Sequence, residues 1–219
     1  MKRIFILLFT VLLSASLQAE EKETKVLIIT NKGKITVKLY NETPQHRDNF
    51  VKLVKEHTFD SLLFHRVIKQ FMIQAGDINS KNAPAEAKLG DGDLGYKVPA
   101  EIVFPKYINK RGQLCAAREG DEVNPSRGSS ATQFYIVTGK HYTDNELDKM
   151  EQQKGVKLTP EQREAYKTVG GAPHLDGSYT VFGEVLKGMK IVEKIELAAT
   201  DSNDRPLTDI RIKTMKILK

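Results

Sequence analysis

The chain has no tryptophan, a single cysteine among 219 residues, and aromatic residues amount to only 7% of it. One cysteine excludes an intramolecular disulfide framework, so apolar packing must hold the fold. Cys115 lies in the apolar run QLCAA, where a buried, inert thiol is expected and not a nucleophile. The five histidines, at 46, 57, 65, 141 and 174, lack paired metal-ligand spacing, so no metal and no other cofactor is expected. Phosphate loops, Ser-His-Asp or Cys-His motif contexts and internal repeats are also missing. Asp91-Gly92-Asp93 lacks the remaining positions of a calcium loop and reads as a turn.

What is present begins with MKRIFILLFTVLLSASLQA, a basic start at Lys2 and Arg3, an apolar run from Ile4 to Leu13, and small residues at Ala15 and Ala19. This is the pattern of a secretory signal, with cleavage expected after Ala19. The run is too short to cross a bilayer core of about 30 Å, which takes roughly 20 helical residues. An exported chain, periplasmic or secreted further, is therefore expected. Removing residues 1–19 takes two positive charges and no acid, so the formal charge falls from +6 to +4. The remaining lysines are dispersed, which argues against nucleic-acid binding and against stable membrane association once the signal is gone. With 40% apolar residues the chain can bury one full core, and a single monomeric domain over 25–219 is expected.

From Lys25 the pattern alternates: VLIIT, a turn at Asn31-Lys32-Gly33-Lys34, then ITVKLY, which predicts a hairpin. Thr43-Pro44 reads as a helix start, with Phe50, Leu53 and Val54 at helical spacing behind it. LLFHRVI and FMIQAG are strand-length apolar runs, and Asp77 to Tyr96 reads as a long loop. Strands are expected at Gln113–Ala117, Thr132–Thr138, Thr180–Leu186 and Asp209–Leu218, with a short helix near Met189–Ile195. So many short strands with few helices predict a mainly β fold, a closed antiparallel β-barrel with helices over its ends. Between Lys140 and Gly171 two polar stretches each open on a capping signature, Thr143 with Glu146 and Thr159 with Gln162, so 140–171 reads as an inserted helical hairpin on the surface.

The stretch FHRVIKQFMIQAGD, Phe64 to Asp77, resembles the signature of the cyclophilin-type peptidyl-prolyl cis-trans isomerases. GQLCAAR at 112–118, TQFYIVTG at 132–139 and HLDGSYTVFGEV at 174–185 agree with that family in the same order, and the resemblance spans about Lys25 to Lys219 outside the insertion. It implies an eight-stranded closed barrel capped by two helices, a rotamase activity that assists protein folding without a cofactor, and proline-containing unfolded or flexible polypeptides as partners. Arg66 is then the implied catalytic residue; its guanidinium stays charged, and its planar fork is expected to be held by Gln74 and Gln133. The proline slot is implied to be Phe71, Met72, Tyr135 and Leu175, with Ala117 and Gln74 in the neighbouring groove and Tyr179 at its rim. Strand alternation agrees, because Met72 shares a face with Gln74 and Gln133 with Tyr135. An extended peptide would lie along Ala116–Arg118 through backbone hydrogen bonds.

Two residues depart from the best-known members of that family. His174 stands where many carry tryptophan and Tyr179 where many carry histidine; the resemblance ties that tryptophan to strong cyclosporin binding, so weak inhibition is expected. Arg118 stands where asparagine is common, at a contact implied to be main-chain. His65, across the strand from Arg66, reads as a structural, hydrogen-bonded histidine. The alternative to catalysis is a non-catalytic peptide-binding or chaperone module using the same groove.

Overall fold

The computed structural model describes residues 23–218, so the expected signal segment 1–19 lies outside the described residues. Ten strands and four helices follow in order: β1 (Lys25–Thr30), β2 (Lys34–Leu39), α1 (Pro44–Lys55), β3 (Phe64–Ile68), β4 (Met72–Ala75), β5 (Lys97–Val98), β6 (Gln113–Ala116), β7 (Ser129–Ser130), β8 (Phe134–Val137), α2 (Asp144–Lys154), α3 (Pro160–Thr168), β9 (Val181–Lys187), α4 (Met189–Glu196) and β10 (Ile212–Leu218). Eight strands form one curled antiparallel sheet in the order β10-β1-β2-β9-β6-β8-β4-β3, and β5 pairs with β7 apart from it.

The eight strands are those expected, but the barrel is not closed. Edge strands β3 and β10 share no ladder; a single bridge, Leu63 to Arg211, joins them among the described residues. The reason lies in the approach to β10. Residues 200–211 lie against β3 as irregular chain: the Val67 N–H donates to the Asp204 carbonyl at 2.8 Å and the Phe64 N–H to the Ile210 carbonyl at 2.8 Å.

Inside the curl, alternating residues of the strands meet the two end helices. Ile28, Ile35 and Val37 pack with Phe50 and Leu53 of α1, Val192 and Ile195 of α4, and Phe134 and Ile136 of β8. Burying each such side chain contributes about 1.5–3 kcal/mol. Thr43 occupies the cap position of α1 but makes no side-chain cap bond. Glu101, far along the chain, takes that role by accepting from the N–H groups of Gln45 (3.0 Å) and His46 (2.9 Å). A carboxylate at a helix start also favours the dipole.

Both capping boxes of the insertion form, Thr143 with Glu146 and Thr159 with Gln162. Buried Glu151 on α2 pairs with Arg163 on α3 at 3.0 Å, and Leu147, Met150, Leu158 and Tyr166 make a small core with Ile108 of the main body. The ends of the insertion meet where the Gly171 N–H donates to the Lys140 carbonyl at 2.9 Å. Only glycine fits there, since a Cβ on Gly171 would stand 2.6 Å from the Tyr166 ring and 2.5 Å from the Asn109 carbonyl oxygen.

Candidate active site

Adjacent strands β3, β4, β8 and β6 bring the site together. Arg66 stands opposite Gln74, Gln74 opposite Tyr135, and Tyr135 opposite Cys115. Because side chains alternate across a strand, Ile73, Ala75, Phe134 and Ile136 enter the main core. Met72, Tyr135, Cys115 and Val137 face the other way and form a second apolar cluster with Ala117, Leu175 and, at its edge, Phe71 and Tyr179.

Over this cluster opens a recess of about 140 Å³, lined by Arg66, Phe71, Met72, Gln74, Ala117, Arg118, Tyr135, Leu175 and Tyr179. Its floor is apolar and its one exposed strand cation is Arg66, whose side chain is 44% exposed. Beside it lies a groove of about 570 Å³ that shares Gln74, Ala117 and Arg118 and adds Tyr96, Lys97, Glu119 and Gln133. Nine of the eleven site residues read from the sequence therefore line one recess. Gln133 lies in the adjoining groove, and His174 stands outside the recess with its ring 5.3 Å from that of Phe71.

The expectation that Gln74 and Gln133 hold Arg66 needs correction. Gln74 Nε2 donates to Gln133 Oε1 at 2.9 Å, and Gln133 Nε2 donates to the carbonyls of Gly90 (2.6 Å) and Gly92 (3.0 Å). The amides bind each other and the loop, whereas Arg66 Nε lies 3.5 Å from Asp204 Oδ2. Arg118 lies over the Tyr179 ring at 4.5 Å and donates from Nε to the Ser178 carbonyl at 2.8 Å. It thereby fixes the rim.

Residues 25–217 match the family model described as cyclophilin type peptidyl-prolyl cis-trans isomerase/CLD. The chain belongs to that family. A Staphylococcus aureus protein named "Putative peptidyl-prolyl cis-trans isomerase" is 33% identical over 202 residues, 91% of this chain and 94% of its own. A Staphylococcus epidermidis protein of the same name is 32% identical over the same shares. A crystal structure of a Cryptosporidium parvum cyclophilin type peptidyl-prolyl cis-trans isomerase superposes with a TM-score of 0.67 at 24% identity, over 90% of this chain and 99% of that one. The same protein in the presence of the dipeptide Ala-Pro gives 0.63 at 23% identity, over 89% and 99%. By family this cyclophilin is an enzyme, a peptidyl-prolyl cis-trans isomerase.

Electrostatics in this cyclophilin follow burial. The Cys115 thiol is fully buried and pushed far up, which leaves it unreactive. Burial likewise raises the Tyr135 hydroxyl, so it stays a neutral donor. His65 departs from expectation in part: it is buried, yet neither ring nitrogen makes a well-formed hydrogen bond beyond a backbone interaction at Leu63, and burial lowers its pKa to about 4. The neutral ring beside Arg66 adds no competing charge. Asp204, Asn109 and Asp176 were not legible as site residues. Each sits in a loop without periodicity, and only the fold brings Asp204 to Arg66 and Asn109 to Tyr135.

Proposed function

We propose that this chain accelerates cis-trans exchange at prolyl bonds of unfolded or flexible exported polypeptides, with Arg66 donating to the prolyl nitrogen at the transition state. Amide resonance sets a barrier of about 18–20 kcal/mol. Twisting the bond frees the nitrogen lone pair, so a donor fixed beside it binds the twisted form better than either planar isomer. Guanidinium suits this, being always charged and a planar set of donors. No covalent step and no cofactor is required.

The observation that supports the reading is that Arg66 lines one recess with Phe71, Met72, Tyr135 and Leu175. The apolar hollow takes the pyrrolidine ring beside Arg66, and the groove beside Ala117 can receive the flanking peptide. Export is supported by the sequence of residues 1–19; a mature protein from the periplasm or culture medium that begins at Glu20 would agree with it. A prolyl-peptide isomerisation assay tests the activity and separates it from a chaperone that only binds peptides.

A further inference from the structure

The inserted hairpin reaches the recess through four hydrogen bonds. Tyr166, fully buried on α3, donates from its hydroxyl to Asp176 Oδ2 at 2.6 Å. The other oxygen, Asp176 Oδ1, accepts from the Asn109 N–H at 2.7 Å and from Asn109 Nδ2 at 3.0 Å. With its amide so oriented, Asn109 presents Oδ1 to the Tyr135 hydroxyl at 3.2 Å, and Tyr135 forms part of the recess floor. Asp176 also ends the short helical turn Pro173–Leu175, which carries Leu175 in the recess wall. A second tie runs from Lys154 of α2 to the carbonyl of His174 in that turn.

From this we propose that Tyr166 and Asp176 are positioning residues. The insertion holds Tyr135 in the floor and Leu175 in the wall of the proline recess, in the shape that accepts the ring. The inference rests on the isomerase reading for its consequence in catalysis. Asp176 serves here as an acceptor: its three hydrogen-bond donors are neutral, and burial holds its carboxyl above the ordinary aspartate range against the opposing pull of the Lys154 ammonium. An asparagine can keep the array, accepting from Asn109 through oxygen and donating through nitrogen to the Tyr166 hydroxyl.

The recess grips proline in the planar and the twisted bond alike, so loosening it weakens uniform binding. In the full chain, Tyr166→Phe is expected to raise KM for a prolyl tetrapeptide about three- to tenfold while kcat stays within about twofold. Asp176→Ala should do the same or more, and Asp176→Asn should stay near the wild type. NMR provides a readout independent of catalysis. The Leu175 methyl and Tyr135 ring signals should move in Tyr166→Phe, and titration with the same peptide should give a Kd raised in step with KM. Unmoved signals overturn the inference, and so does an unchanged KM or Kd. If Tyr166→Phe does not fold, the Asp176 pair decides, and an Asp176→Asn binding peptide as weakly as Asp176→Ala overturns it. Should the wild type lack isomerase activity, the isomerase reading fails alone; shifted signals and a raised Kd would still uphold the coupling.

Discussion

Arg66 Nε lies 3.5 Å from Asp204 Oδ2, with both side chains nearly half-exposed. Asp204 is held in place from both sides. Its carbonyl accepts the Val67 N–H, and the next residue, buried Arg205, donates to the carbonyls of Pro84 and Ala87 at 2.9 Å each. A partly exposed pair of this kind contributes at most about 1 kcal/mol, so its effect is on orientation. Asp204 has a φ of 64°, a left-handed conformation that asparagine also adopts readily. Asp204→Asn is therefore expected to fold normally and to lower kcat by about two- to fivefold. Unchanged kcat in a prolyl-peptide assay contradicts an orienting role.

Phe71 forms one wall of the recess and is only partly buried, so its removal should cost the site more than the fold. Phe71→Ala is expected to reduce kcat/KM about tenfold while shifting the denaturation midpoint little. Parallel steady-state kinetics and urea unfolding check both halves. A large loss of stability with kinetics intact would assign Phe71 to the core instead.

His65 makes stability fall towards acid pH. In the unfolded chain its ring takes a proton near the ordinary value of 6.5, whereas burial holds the folded value to about 4. As pH drops through this interval, the unfolded state gains a proton that the folded state refuses. Between about pH 7 and pH 4.5 the loss is on the order of 2 kcal/mol. Denaturant unfolding at both pH values should show His65→Gln losing less stability than the wild type by about that amount, and equal losses refute the assignment.

His174 is exposed and its ring lies tilted beside that of Phe71 outside the recess, in the place where the family resemblance associates a tryptophan with cyclosporin. Its imidazole offers less apolar area than an indole. Weak inhibition is expected when the drug is titrated against activity, and submicromolar potency would contradict it.

Local signals in the sequence are legible where local chemistry decides the structure. The capping boxes at Thr143 and Thr159 formed as spaced, and the alternation in FMIQ and QFYI put Met72 on the face of Gln74 and Tyr135 on that of Gln133, both of which border the recess region. What was not legible depends on residues distant in the chain. Thr43 lost its cap to Glu101, the seam between β3 and β10 stayed open against residues 200–211, and Gln74 turned to Gln133 while Arg66 met Asp204. Counting strands gives their number. Closure depends on which backbone groups of the last edge find partners, and no period in the sequence encodes that.

Prolyl-peptide isomerisation with Arg66→Ala reports directly on the guanidinium donor. Arg66 is exposed, and its charged partner Asp204 is exposed enough to be solvated alone, so the variant should unfold at nearly the wild-type midpoint. Turnover is expected to fall by more than about tenfold while peptide binding to the recess persists. A purified, folded variant with full activity would contradict it.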